Sequence, residues 1–188
     1  MKFPKPLLLL SSLILLLVVQ ALTPLNAETF AYPDKGDSKF KIQIPDNWKI
    51  EKNKEDKEDS FSFTSPSGAI KVILKTVKGD EDRGLNKLVA ETEVALKYDV
   101  KNPAIAQGRL GGLPMPFVPI KLNNMAAATQ LNAKGLSPKD DKPIALYFLI
   151  FSPDKERLWG WLYGIYSEST PKQEQEDFFK LVGSVTAG

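Results

Sequence analysis

Two stretches, residues 144–151 and 158–166, are apolar on both sides of a strand, and few folds can accept that. Successive side chains of an extended strand point to opposite faces. In the first stretch Ile144, Leu146, Phe148 and Ile150 therefore face one way, and Ala145, Tyr147, Leu149 and Phe151 the other. In the second, Trp159, Trp161, Tyr163 and Ile165 oppose Leu158, Gly160, Leu162 and Gly164. Strands of this kind need cover on both faces. The link Ser152-Pro153-Asp154-Lys155 is too short for a crossover helix, so the two are expected to pair antiparallel.

The rest of the chain supplies the cover. Phe40, Ile42 and Ile44 alternate with Lys39, Lys41 and Gln43, the period of a half-buried strand, before Pro45-Asp46-Asn47 turns the chain into Trp48. Residues 51–59 are almost all charged and read as a solvated loop. Phe61 and Phe63, the turn Pro66-Ser67-Gly68, and Ile70, Val72 and Leu74 predict a hairpin. After Gly84 the period changes, with Leu85, Leu88, Val89, Thr92 and Leu96 on one helical face. A further strand is expected over about residues 125–133. A second helix is signalled by Thr170 as a cap, Pro171 at the first turn and Gln173 completing a capping box. Phe178, Phe179, Val182 and Val185 form its apolar side, with Gly183 as the stop. The expected fold is α+β: a central antiparallel sheet flanked by a helix on each side, occupying residues 39–188 as one domain.

Residues 1–27 have a different character. Lys2 and Lys5 precede an apolar run from Leu7 to Val19, and Pro24-Leu25-Asn26-Ala27 follows. A charged start, an apolar middle and a small-residue end make a secretory signal peptide. Cleavage is expected after Ala27, with Ala21 as the alternative site. An uncut signal anchor stays open as the membrane-tethered reading, although the run is short against the roughly 20 residues that span a bilayer. No cysteine follows to carry a lipid. Residues 28–38 read as a flexible lead-in.

Charge and composition narrow the function. The leader carries two lysines and no acid, so the remainder balances 23 basic against 23 acidic residues. Such a domain has no general electrostatic attraction for nucleic acid. The chain has no histidine and no cysteine. That removes the Ser-His-Asp triad, His-based acid–base catalysis, thiol nucleophiles, and His- or thiolate-held metals and haem.

In order, the segment Pro45 to Trp48, the Phe61/Phe63 hairpin leading to a helix, the glycines of 108–112, the strand pair at 144–166 and a last helix written Phe179-x-x-Val-x-Ser184 resemble the PsbP-like family. That family comprises the extrinsic protein of photosystem II, its bacterial relatives and a nuclear-transport factor of the same fold. The resemblance spans most of residues 38–187. It implies a non-enzymatic periplasmic or lumenal domain, and no catalytic residues come with it. The oxygen-evolving role is not carried over.

Several segments hold candidate chemistry. Asp80, Asp82, Asn86 and Glu91 have something of a calcium loop, but Gly84 is misplaced, and acids at a helix start account for the pattern better. No metal and no cofactor is expected. Residues 108–112 lack the Gly-Lys-Ser/Thr of a phosphate loop. Residues 114–120, with Pro114, Pro116, Phe117 and Pro119, read as a flap over the sheet or as an extended surface offered to a partner. Trp159, Trp161 and Tyr163 read as core, with a ladder that stacks a sugar or another flat ligand as the alternative. The function expected is an exported, non-catalytic binding or accessory protein of the bacterial envelope, located in the periplasm, secreted, or in a thylakoid lumen if the source is photosynthetic. Its partner would be an envelope protein or a small apolar or flat ligand. A hydrolase using a Ser–Lys or carboxylate pair is the alternative.

Overall fold

The computed structural model describes residues 27–34, 36, 39–53, 59–105, 118–167 and 169–188. The signal sequence up to residue 26, the glycines of 108–112, and Pro114, Pro116 and Phe117 lie outside the described residues. In chain order the elements are β1 (Ala27–Tyr32), β2 (Phe40–Pro45), β3 (Lys49–Asn53), β4 (Ser60–Thr64), β5 (Lys71–Lys78), a single π-turn (Glu81–Leu85), α1 (Asn86–Asp99) and β6 (Lys101–Ile105). They continue with β7 (Val118–Pro119), β8 (Ala127–Leu136), β9 (Pro143–Ser152), β10 (Leu158–Ser167), α2 (Lys172–Gly183) and β11 (Thr186–Ala187).

The large sheet has the order β3-β4-β5-β10-β9-β8-β6, with β7 also pairing β8, and its pairings are antiparallel. The two apolar strands are at its centre, in a register that sets Leu162 opposite Leu149 and Tyr163 opposite Phe148. Their alternation divides the core. Leu146, Phe148, Ile150, Trp159, Trp161 and Tyr163 join Leu88, Ala95 and Leu96 of α1 in one cluster. Tyr147, Leu149, Phe151, Leu158 and Leu162 join Phe178, Leu181 and Val182 of α2 in the other. A helix therefore covers each face of the sheet, as the two-sided strands require. No helix among the described residues is long and apolar enough to cross a membrane.

The face under α2 has a second cover, a three-stranded sheet in the order β1-β2-β11. Phe40, Ile42 and Ile44 point inward from it and are wholly buried. Here the sequence reading needs correction, because residues 27–32 are not a loose lead-in but pair with β2 along their full length. Phe30 and Tyr32 supply the reason. Phe30 meets the Phe61 ring edge-on at 4.9 Å, and Tyr32 stacks on Phe40 at 5.3 Å. A second correction concerns residues 51–53, which belong to the edge strand β3 and not to a loop. Its Lys49, Glu51 and Lys52 stay exposed, and charges suit the unpaired edge of a sheet.

Helix α2 begins differently from its capping signature. Thr170 is buried and its hydroxyl accepts from the Ser167 N–H, while Gln173 donates to Asp177, so no side chain caps the helix. The start is fixed instead by Glu174, which accepts from both the N–H and the hydroxyl of Ser67 in the β4–β5 turn. Phe179 leaves the buried face and is 48 % exposed, because Phe178, Leu181 and Val182 already point into the core. The far end is tied down as well: Ser184 Oγ accepts from the Gln43 N–H at 2.8 Å.

Asp59 links the two sheets. Tyr32 Oη donates to its carboxylate at 2.7 Å, Lys52 Nζ lies 2.8 Å away, and its backbone carbonyl accepts from Thr76 N–H. The Lys52 ammonium and then the Tyr32 hydroxyl hold the Asp59 carboxyl below its ordinary value. A depressed carboxylate stabilises the fold above its unfolded value of about 3.9, and that contribution disappears as pH falls through the folded value. Urea midpoints should therefore be lower for Asp59→Asn than for the parent at neutral pH, with the gap closing in acid. A gap that stays constant down the acid range would refute the link.

Gly164 is required by close approach. A Cβ there would lie 2.6 Å from the Phe178 ring of α2. Gly164→Ala should cost about 1–3 kcal/mol by overpacking, read as a lower urea midpoint with the slope unchanged.

Candidate functional site

The register of β5 against β10 sets Lys75 opposite Trp161 and Ile73 opposite Tyr163 on the α1 side of the sheet. Trp161 is 3 % exposed, so its indole N–H needs an acceptor. Thr92 provides it. Its Oγ1 accepts from Trp161 Nε1 at 2.9 Å and donates to the Leu88 carbonyl at 2.9 Å. About two turns onward along α1, Tyr163 Oη donates to Asp99 Oδ2 at 3.0 Å. Burial, reinforced by that carboxylate, pushes the Tyr163 phenol far above its ordinary value, so it remains a donor. Lys75 Nζ lies 3.1 Å from Glu91 Oε2 and 5.8 Å from the centre of the Trp161 ring. Three polar ties thus hold α1 over the sheet.

Beside these ties, α1 and β5 do not close completely. A cleft of about 500 Å³ runs along the helix, within the range of small-molecule sites. Its floor is Ile73 with Trp161 and Tyr163, and its wall is Ala90, Val94, Ala95 and Tyr98. Val94 and Tyr98 are 56 % and 65 % exposed. Lys75, Lys87 and Glu91 line one end of the helix wall and Asp99 the other. This arrangement can hold an elongated, mainly apolar molecule.

The structure places the residues singled out in the sequence unevenly. Trp159, Trp161 and Tyr163 are 2 %, 3 % and 4 % exposed, so they are core and not an open stacking ladder. The reason is α1 with its π-turn. A Cβ on Gly84 would collide with the Trp159 ring, so the turn lies directly on that indole. Trp161 and Tyr163 nevertheless line the cleft, and Trp159 lines a smaller recess of about 140 Å³ with Glu81 and Leu85. Pro119 lies exposed on β7, distant in the sheet order from the cleft strands, and its pairing is with β8. Asp80 accepts from the Arg83 N–H and caps the π-turn, while Glu91 is held by Lys75, so the residues of the calcium-like pattern have separate tasks.

Sequence reasoning missed Ile73, Lys75, Val94 and Tyr98 as site residues. A signal for two of them existed. Val94 and Tyr98 are four residues apart and lie off the Leu88–Thr92–Leu96 face, forming an apolar pair where a solvated helix side carries polar groups.

Replacing Thr92 tests the mooring. Thr92→Val preserves shape but strands the indole N–H, and should cost about 1–3 kcal/mol, while Thr92→Ser should cost markedly less. Denaturant midpoints of the two variants make the comparison, and equal losses would show that the hydroxyl is not the anchor.

No family model matches the chain, and no curated protein matches it significantly. Solved structures do match. LpqN of Mycobacterium tuberculosis, involved in cell envelope biogenesis, aligns with a TM-score of 0.54 and 12 % identity over 86 % of this chain and 90 % of that one. A structure from Bacteroides thetaiotaomicron VPI-5482 aligns with a TM-score of 0.51 and 11 % identity over 86 % of this chain. There the match spans 48 % of the other chain, about half its length. At such identities the likeness is one of fold. It is consistent with a PsbP-like or LpqN-like architecture, though no family match names PsbP.

Proposed function

We propose that this chain is an exported, non-catalytic binding or accessory protein of the bacterial envelope, PsbP-like in fold, that holds its ligand in the cleft beside α1. The cleft carries this reading. It is mostly apolar, about 500 Å³ in volume, and bounded by a helix that three polar ties keep in place. A preformed recess with a few polar groups at its margin is the usual form of a small-molecule site. The shared fold with an envelope-biogenesis protein supports the setting, and the leader-like residues 1–27 support export. The absence of histidine and cysteine from the chain leaves catalysis with few means.

Expression with the leader in a bacterial host, followed by native mass spectrometry, tests the proposal. The expected mature mass corresponds to a start at Glu28, with a copurifying small molecule that is lost in a folded Val94→Asp variant. Retention of residues 1–27 in the cytosol would overturn the export. Hydrolase activity abolished by a single Ser, Lys, Asp or Glu substitution would overturn the non-catalytic reading.

A further inference from the structure

Given its reading as a binding site, the cleft is limited in what it can hold by what its walls have left to offer. The backbone offers little. The strand beneath, β5, pairs with β4 on one side and β10 on the other, and α1 spends its interior N–H and C=O groups within the helix. A peptide would find no strand edge here on which to add its own hydrogen bonds.

The polar side chains are engaged as well. Lys75 lies 3.1 Å from Glu91, with each side chain 26 % exposed, and sits over the Trp161 ring. Lys87 has an interaction of its own. Trp161 gives its indole N–H to Thr92, and Tyr163 gives its hydroxyl to Asp99. Tyr98 is 65 % exposed and can satisfy its hydroxyl with water. The lining charges of Lys75, Lys87, Glu91 and Asp99 cancel. An anion beside Lys75 meets Glu91 too, and a cation beside Glu91 meets Lys75, so attraction and repulsion nearly balance in both cases.

What remains is aliphatic. Ala90 and Val94 are exposed and Ile73 is half-buried, along a wall that rises about 16 Å from Lys87 to Tyr98. Trp161 and Tyr163 are packed against Phe148 and almost fully buried, so neither presents an open ring face to a flat ligand. Over the exposed ring of Tyr98 the Lys97 ammonium lies 5.5 Å from the centre.

We infer that the ligand of the cleft is an uncharged linear aliphatic molecule, its chain lying along Val94 and Ile73. A wall with no donor or acceptor to spare selects a guest that needs none. A polar group buried there without a partner costs about ten- to hundredfold in affinity.

Calorimetric titration of the leader-free protein with hexanol, octanol, octanoate, octyltrimethylammonium and naphthol, each below its aggregation concentration, tests this. Octanol is expected to bind at least about tenfold more tightly than naphthol and the two charged probes, and about fivefold or more above hexanol. Val94→Asp and, separately, Ala90→Glu should each weaken octanol by about tenfold or more, with near-ultraviolet circular dichroism confirming that each variant is folded. Glu91→Gln takes from Lys75 its carboxylate partner, and should narrow the gap between octanol and octanoate by about fivefold or more. A charged probe that binds the parent as tightly as octanol, or a gap that Glu91→Gln leaves unaltered, overturns the inference. Preferential binding of naphthol, abolished by Val94→Asp, removes the aliphatic class and keeps the cleft as a binding site. A charged copurifying molecule lost in that variant does the same. Failure of all five probes, with no copurifying molecule, removes the cleft from both accounts.

Discussion

Burial on both faces of β9 and β10 is the constraint from which the other elements follow. A strand with Phe148 and Ile150 on one side and Leu149 and Phe151 on the other has no face to give to water. Each wholly buried side chain of this size stabilises the fold by about 1.5–3 kcal/mol, provided that something covers it. One layer cannot cover two faces. The chain answers with α1 on one side, and with α2 and the three-stranded sheet on the other. Gly160 and Gly164 relieve the crowding this produces, where Phe151 and Phe178 fill the space their own side chains would need.

The two covers are attached by different means. Across α2 and the small sheet the contact is broad and aromatic, with Phe178 against Tyr147 and Phe40 against Phe151. Helix α1 has fewer large side chains facing the sheet and relies more on polar ties at Thr92, Glu91 and Asp99. These ties fix position without filling all the space between helix and strand, and the cleft is the space they leave.

Much of this was legible from residue order alone. Period-two alternation locates both central strands to within a residue at each end and places the hairpin, although β5 runs on to Lys78, and the change of period after Gly84 locates α1. What escaped has a physical cause in each case. In β1 only Phe30 and Tyr32 carry an alternation signal, and the neighbouring Pro33 and Gly36 outweigh it locally. The charges of β3 reflect its position at the sheet edge, and edge position is a property of the pairing, not of the segment. Phe179 was assigned to the core because one helix turn offers several apolar positions, and only the packed structure shows which three are taken. Trp161 and Tyr163 read as core in the sequence, with an open stacking ladder as the alternative, and both are buried. Their burial depends on α1 crossing above, and their contribution to a cleft depends on how far β5 lies from that helix.

The small sheet joins distant parts of the chain. Thr186 and Ala187 of β11 pair with Lys41 and Phe40 of β2, and the Gly188 N–H donates to the Lys39 carbonyl at 3.0 Å. Its middle strand therefore has a neighbour some 140 residues further along the chain. Until the two segments meet, β2 lacks one of its two hydrogen-bonding neighbours. Closure of this layer is a non-local step of folding, and the interval before it is when the chain is most open to association with other molecules.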